Sequence, residues 1–259
     1  MRFAGVVHLL PLPGAPTPWP PLDDTLTRAV ADARVLADAG ADLAVIENFG
    51  DAPFAPGAVG PVTVAAMVRV AIAVREAAPD LALAINVLRN DAASALAIAT
   101  AVGAAWIRVN VHTGAAWTDQ GLVTGDARGT LALRTRLASD VRIAADVAVK
   151  HAVPAGETDL GRLAADTWHR GRADALLVTG GHTGGVPLLA DIDAVIDGAP
   201  GAPVWVASGA TVHNVGELLR RAQGAIVGTA LHRDGDIRAP LDLERASAMR
   251  KAIDRATRG

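Results

Sequence analysis

Trp106-Ile107-Arg108-Val109-Asn110 places an arginine and an asparagine two residues apart in an otherwise apolar run. Side chains alternate between the faces of a strand, so Arg108 and Asn110 share one face and Ile107 and Val109 the other. A buried charge is costly unless it is paired or lies near an open rim. That combination suits one strand of a parallel barrel, whose outer face is sealed by helices and whose polar groups collect at the carboxyl ends.

The same pattern recurs along the chain. Short apolar runs predict strands at 3–8, 42–47, 81–86, 106–110, 141–146, 175–179, 204–208 and 225–228, each followed by turn residues and a helical stretch. This repeated β-then-α order reads as an α/β chain forming a single (βα)8 TIM barrel over residues 1–259. Asp91 and Gly103 punctuate the third helix, Asp23 precedes the first, Thr211 is expected to cap the seventh, and the last is expected over about 241–255. Two connections exceed what a barrel needs: a proline-crowded flap over 9–22, and a segment over 111–128 carrying His112, Trp117, Thr118, Asp119 and Gln120. Both follow a strand and are expected at the same mouth, the second as a lid.

Composition narrows the function classes. The 259 residues contain no cysteine, which excludes disulfides, thiolate metal sites and thiol nucleophiles. The net charge of −3 is spread along the chain and gives no electrostatic reason for a nucleic-acid or membrane partner. His8, Pro11 and Pro13 interrupt the opening apolar run, which therefore reads as a strand and not a signal peptide. The uncharged, alanine-rich stretch 92–107 is broken by Gly103 and too short to span a bilayer comfortably. A cytoplasmic protein is expected, and association into a homo-oligomer is left open.

The polar residues define a candidate site. His8, Glu47, Asn86, Asn110, Asp146, Thr179 and Ser208 end their apolar runs, and Arg108 is expected to reach Glu47 or Asp146. Any one could be a strand-end cap or structural ion pair, but a ring of them at one rim is what an active site requires. Asp146 and Lys150 could share proton-transfer work or simply neutralise one another, with Glu47 as a second proton-transfer group. His8, Asn86, Arg108, Asn110, His112, Asp119, Thr179 and Gly180 are expected to bind substrate.

Ser208-Gly209 and Gly228-Thr229 are expected to hold a phosphate, since glycine lets backbone N–H groups approach an anion. Thr179-Gly180-Gly181-His182-Thr183-Gly184-Gly185 matches neither a P-loop nor a dinucleotide fingerprint and reads as a binding loop. No cofactor is predicted. His8, His112, His151, His182 and Asp119 keep a divalent metal as a lesser alternative, whereas His169, His213 and His232 read as ordinary helix or surface residues.

Long strings now carry a resemblance. Gly5-Val6-Val7-His8-Leu9-Leu10-Pro11-Leu12-Pro13-Gly14, Glu47-Asn48-Phe49-Gly50-Asp51-Ala52-Pro53-Phe54 and Asn86-Val87-Leu88-Arg89-Asn90-Asp91 are three of them. Ile107 to His112, Thr118-Asp119-Gln120-Gly121, Ala145 to His151 and Ile226 to Leu231 continue the match. Through these segments the chain resembles the BtpA/SgcQ family over nearly its whole length. The resemblance implies a ribulose-phosphate-binding type of barrel but no particular reaction. Some relatives are linked to photosystem I biogenesis and others to sugar metabolism. The segment 181–188 departs from the more acidic pattern of the family after the proline, which bears on substrate choice.

The leading expectation is isomerase- or lyase-type acid–base chemistry on a small sugar phosphate or phosphorylated heterocycle. The alternatives are a non-enzymatic binding or assembly factor and a metal-dependent hydrolase.

Overall fold

Strand alternation decides which residues meet inside the molecule. The computed structural model describes residues 2–149, 151–181 and 185–257. Eleven strands are described: β1 (Phe3–His8), β2 (Leu43–Glu47), β3 (Ala82–Asn86), β4 (Trp106–Val109), β5 (Ala115–Thr118), β6 (Gly121–Thr124), β7 (Arg142–Ala148), β8 (Ala152–Pro154), β9 (Ala175–Val178), β10 (Val204–Val206) and β11 (Gly224–Val227). Eight of them close a parallel barrel in the order β1-β2-β3-β4-β7-β9-β10-β11. The other three form a separate antiparallel sheet in the order β6-β5-β8.

The barrel carries α1 (Leu22–Asp38), α2 (Pro61–Ala77), α3 (Ala92–Val102), α4 (Ala127–Arg136), α5 (Leu160–Ala165), α6 (Leu189–Gly198), α7 (Val215–Leu218) and α8 (Leu243–Ala256) outside its strands. Phe3, Val7, Ile46, Leu83, Ile85, Ile107, Ile143 and Val206 point outward and pack with the helices into the larger core. The intervening residues point inward: Ala4, Val6, Leu43, Val45, Ala84, Trp106, Ala144, Ala175, Leu177, Trp205 and Ile226 make a second, interior cluster. Small alanines leave room for the two indoles, which meet edge to face at 4.8 Å between ring centroids. The interior is thus plugged below its carboxyl end.

Local chemistry explains the helix ends. Asp91 accepts a hydrogen bond from Ser94 N at 2.9 Å at the start of α3, and Gly103 closes it in the left-handed conformation at φ 64°. Three sequence expectations change in detail. Asp23 lies inside the first turn of α1, which follows Pro21. Thr211 caps nothing with its side chain; α7 is a four-residue turn preceded by Asn214. The connection over 111–128, expected as a lid, is ordered as β5, β6 and the start of α4.

The chain end is fastened to its beginning by Asp32 on α1. Its buried carboxylate accepts from Arg28 Nε and from Leu241 N, both at 2.8 Å. Leu241 lies just before α8, so this carboxylate holds the last helix against the first. Replacing Asp32 by Ala should cost about 3 kcal/mol, because it leaves a cation and a buried N–H without their acceptor. Urea unfolding of the variant against the parent chain measures this.

Candidate active site

The inward file of each strand turns polar as it reaches the carboxyl end. His8 follows Ala4 and Val6, Glu47 follows Leu43 and Val45, Asn86 follows Ala84, Arg108 follows Trp106, and Asp146 follows Ala144. In register, His8 stands beside Glu47 and Glu47 beside Asn86. The structure therefore brings together most of the polar ring read from the sequence.

Arg108 and Asp146 form its centre. Arg108 Nη2 donates to both carboxylate oxygens of Asp146 at 3.1 Å, and Asn110 Nδ2 donates to Oδ2 at 3.0 Å. Both charged side chains are buried. Burial works to strip the Arg108 proton, but Asp146 and then Glu47 outweigh it and raise its pKa above the ordinary value. Arg108 is thus a fixed positive charge, held by Asp146. On the other side Asn86 Nδ2 donates to Glu47 Oε2 at 2.5 Å, and His8 Nε2 lies 3.9 Å from Glu47 Oε1.

Three buried polar atoms in this cluster have no hydrogen-bond partner among the described residues: Asn86 Oδ1, Arg108 Nε and Asn110 Oδ1. Buried polar groups are normally paired, so such a concentration marks a place where a ligand or water completes the bonding. Of the cavities that open here, two are both lined by Glu47 and Arg108. One, of about 150 Å³, is bounded by His8, Ser208-Gly209-Ala210-Thr211 and Gly228-Thr229-Ala230. The other, of about 270 Å³, is bounded by Phe49, Phe54, Leu88, Arg89, Asn110 and Asp119.

The glycine turns are held by side-chain clamps. Gly209 sits at φ +68°, and a Cβ there would meet Gly185 O at 2.4 Å. Asn214 Nδ2 donates to Gly209 O at 3.0 Å, and Asn214 Oδ1 accepts from Thr211 N at 2.7 Å. Ser208 Oγ donates to Gly185 O at 2.8 Å and accepts from Gly180 N at 2.7 Å. The Ser208 hydroxyl and the Gly180 N–H are therefore used in joining loops, and it is the backbone at Gly209 and Gly228 that fronts the cavity.

Of the other expected residues, His112 and Thr179 line neither cavity, whereas Asp119 lines the second. The imidazole of His112 is buried, with Nε2 donating to Gly171 O at 2.9 Å, and it lines neither cavity. The strand ends at Val109, so the alternation that would have aimed His112 inward is lost. Thr179 Oγ1 donates to Ala148 O at 2.9 Å, tying β9 to β7. Asp119 lies at the β5–β6 turn, where it binds Arg89 and accepts from Gln120 Nε2 at 2.6 Å. Desolvation works to raise the pKa of Asp119, but Arg89 and Gln120 prevail and lower it. Lys150 and His182–Gly184 lie outside the described residues, as does that part of the expected binding loop.

Sequence reading missed Arg89, Phe49 and Phe54 as cavity walls, and it misplaced His232. Far from the surface, His232 is fully buried, 2.9 Å from His8. Among the described residues no group of three or more His, Asp or Glu is arranged to hold a metal ion.

A polar mouth with a buried cation and glycine turns, on a plugged (βα)8 barrel, defines the class: a closed (βα)8 barrel with its candidate site at the carboxyl face. The chain belongs to the BtpA family, whose model matches residues 2–255. It is 45% identical over 251 residues to the photosystem I biogenesis protein BtpA of Synechocystis sp., covering 96% of this chain and 86% of that one. An uncharacterized protein of Thermococcus kodakarensis is 44% identical over 252 residues, covering 97% and 94%. In fold the chain is similar to phosphoribosyl anthranilate isomerase from Thermus thermophilus, with a TM-score of 0.60 at 14% identity over 98% of this chain and 99% of that one. It is also similar to 3-keto-L-gulonate-6-phosphate decarboxylase from Vibrio cholerae, with a TM-score of 0.57 at 14% identity over 98% and 97%.

Two measurements test this geometry. Asp119→Ala should speed amide exchange over 115–124 by up to about fivefold, the equivalent of about 1 kcal/mol, while α8 is unaffected. The second concerns His112 and His232, in which burial chiefly lowers the pKa. The unfolded chain then binds more protons below about pH 6.5, so stability present at pH 7 is lost on acidification through that value. The slope should reach at most about 1.4 kcal/mol per pH unit for each histidine. Urea midpoints at pH 7.5 and 5.5 report it, and His112→Gln should flatten it.

Proposed function

We propose that the chain is an enzyme of the isomerase or lyase type acting on a small phosphorylated metabolite by proton transfer at the carboxyl mouth of the barrel. One observation carries the reading: the cavity fronted by Gly209 and Gly228 shares Glu47 and Arg108 with the neighbouring cavity. A ligand can therefore rest its phosphate on backbone donors and the fixed Arg108 charge while its remainder enters the second compartment. Phe49, Phe54 and Leu88 make that compartment largely apolar, which suits a sugar ring or a planar heterocycle.

The residues divide the work accordingly. Glu47 lines both cavities and serves as a proton-transfer group, fixed in place by Asn86. Asp146 holds Arg108 and Asn110 in position, and its expected proton-transfer role shared with Lys150 belongs to this same proposal. The names of the fold neighbours, an isomerase and a decarboxylase of phosphorylated compounds, agree with the substrate class.

A second reading follows from the name of the Synechocystis relative: a non-catalytic assembly factor using the pocket as a sensor. The row Leu122, Trp117 and Val153 supports it. These residues pair across β6, β5 and β8 and are exposed. Under this reading Trp117→Ser with Val153→Ser impairs the assembly, whereas Glu47→Gln does not.

Titration with inorganic phosphate, followed by calorimetry and by backbone amide shifts, tests the leading proposal. Shifts should concentrate at 208–211 and 228–230. Gly228→Ala places a Cβ 2.9 Å from His8 Cε1 and should weaken phosphate binding about tenfold, or about 1.4 kcal/mol. Undiminished binding in that variant would move the anion elsewhere.

A further inference from the structure

His8 and His232 are joined ring to ring, and their hydrogen-bond chain can be read in only one direction. His232 Nδ1 is 2.7 Å from Ala239 O. A carbonyl oxygen only accepts, so this nitrogen carries hydrogen. His232 Nε2 is 2.9 Å from His8 Nδ1. The ring of His232 is fully buried, and burial, the largest influence on it, favours its neutral form against the Ala239 hydrogen bond and the Asp32 charge. A neutral ring protonated on Nδ1 has a bare lone pair on Nε2, so His8 Nδ1 must donate to it.

The other nitrogen of His8 is thereby defined. Nε2 stands 3.9 Å from Glu47 Oε1, on the wall of the cavity shared with Gly228 and Thr229. The ring is steadied by the edge of Phe49, with centroids 5.0 Å apart. Among the described residues, charged and titratable neighbours include Glu47 on β2, Arg108 on β4 and His232 after β11, with Arg28 and Asp32 of α1 and Asp236 behind His232.

We propose that His8 is a catalytic proton-transfer residue acting through Nε2, and that His232 is the positioning residue that fixes its tautomer. The proposal rests on the reading of this mouth as an active site. Every proton His8 gains or gives then passes through the atom facing the cavity. The ring abuts Gly228, where a phosphate would rest, so the reacting centre lies within a few bonds of that phosphate. The substrate class is a short phosphate monoester bearing a carbonyl and an adjacent C–H.

Nε2 takes the proton of that C–H, and the pair of the broken bond forms a C=C bond as the carbonyl oxygen becomes an enolate beside Arg108. His8 is then an imidazolium facing Glu47. It returns the proton to carbon, the enolate collapses to a carbonyl, and neutral His8 is restored. No outside oxidant or reductant is needed.

The test uses the full chain labelled with 15N-histidine. Ring correlations give the tautomer of each histidine, and the signals absent from His8→Gln identify His8. The expected result is hydrogen on Nδ1 and a bare Nε2, with the Nε2 signal moving when inorganic phosphate is added. His232→Gln, which can still accept from His8 and donate to Ala239, should preserve this tautomer. His232→Leu should abolish the preference while thermal unfolding remains cooperative; if that variant does not fold, the parent spectrum decides alone. Hydrogen on Nε2 in the neutral parent, with phosphate still bound at 208–211 and 228–230, overturns this inference and leaves the proposed function standing. The expected tautomer with no phosphate binding overturns the proposed function and the catalytic role of His8 together.

Discussion

The pairing of Arg108 with Asp146 marks the level at which the barrel changes from packed core to chemical site. Below it, two indoles and a set of alanines fill the interior; above it, carboxylate, amide and imidazole groups face space. A guanidinium at that depth would cost several kcal/mol if left alone. Asp146 binds it through both oxygens, and Asn110 takes up part of the remaining capacity of the carboxylate. The result is a permanent positive charge between two cavities, with its direction set by two adjacent strands. Glu47 faces the same space, so a cation and a carboxylate are held apart there by the barrel itself.

Much of this was legible because strand alternation is strict. An apolar run that ends in His8, Glu47, Asn86 or Asp146 declares which face is inward and where the interior ends. The partner of Arg108, narrowed to Glu47 or Asp146 from sequence, is Asp146, the residue on the neighbouring strand β7. Alternation fails as a guide once the strand stops, and His112 and Thr179 fall past that limit. Their side chains go to carbonyl groups of the scaffold. Ser208 was correctly located next to a glycine turn, but its hydroxyl serves the loops and leaves the backbone to face the cavity.

The unread features depend on contacts between distant segments. His8 and His232 are separated by 224 positions, and nothing local to His232 indicates a partner at the first strand. Arg89 has the same difficulty: in sequence it is a loop arginine, and only the return of the β5–β6 turn over the mouth gives it Asp119 and Gln120. Antiparallel pairing of three short strands outside the barrel was hidden for the related reason that β5 and β8 are separated by a whole barrel unit.

That small sheet has a mechanical consequence. Its strands come from both sides of β7: β5 and β6 precede it, and β8 follows it. The pairing of β7 with β9 shifts register between Asp146 and Ala148, just where the chain leaves for β8. The cover over the mouth is consequently tied on both sides to the strand that anchors the central cation. Asp146 therefore sits where the regular ladder of the barrel breaks, and the carboxylate that holds Arg108 is set at the seam between the barrel and the small sheet.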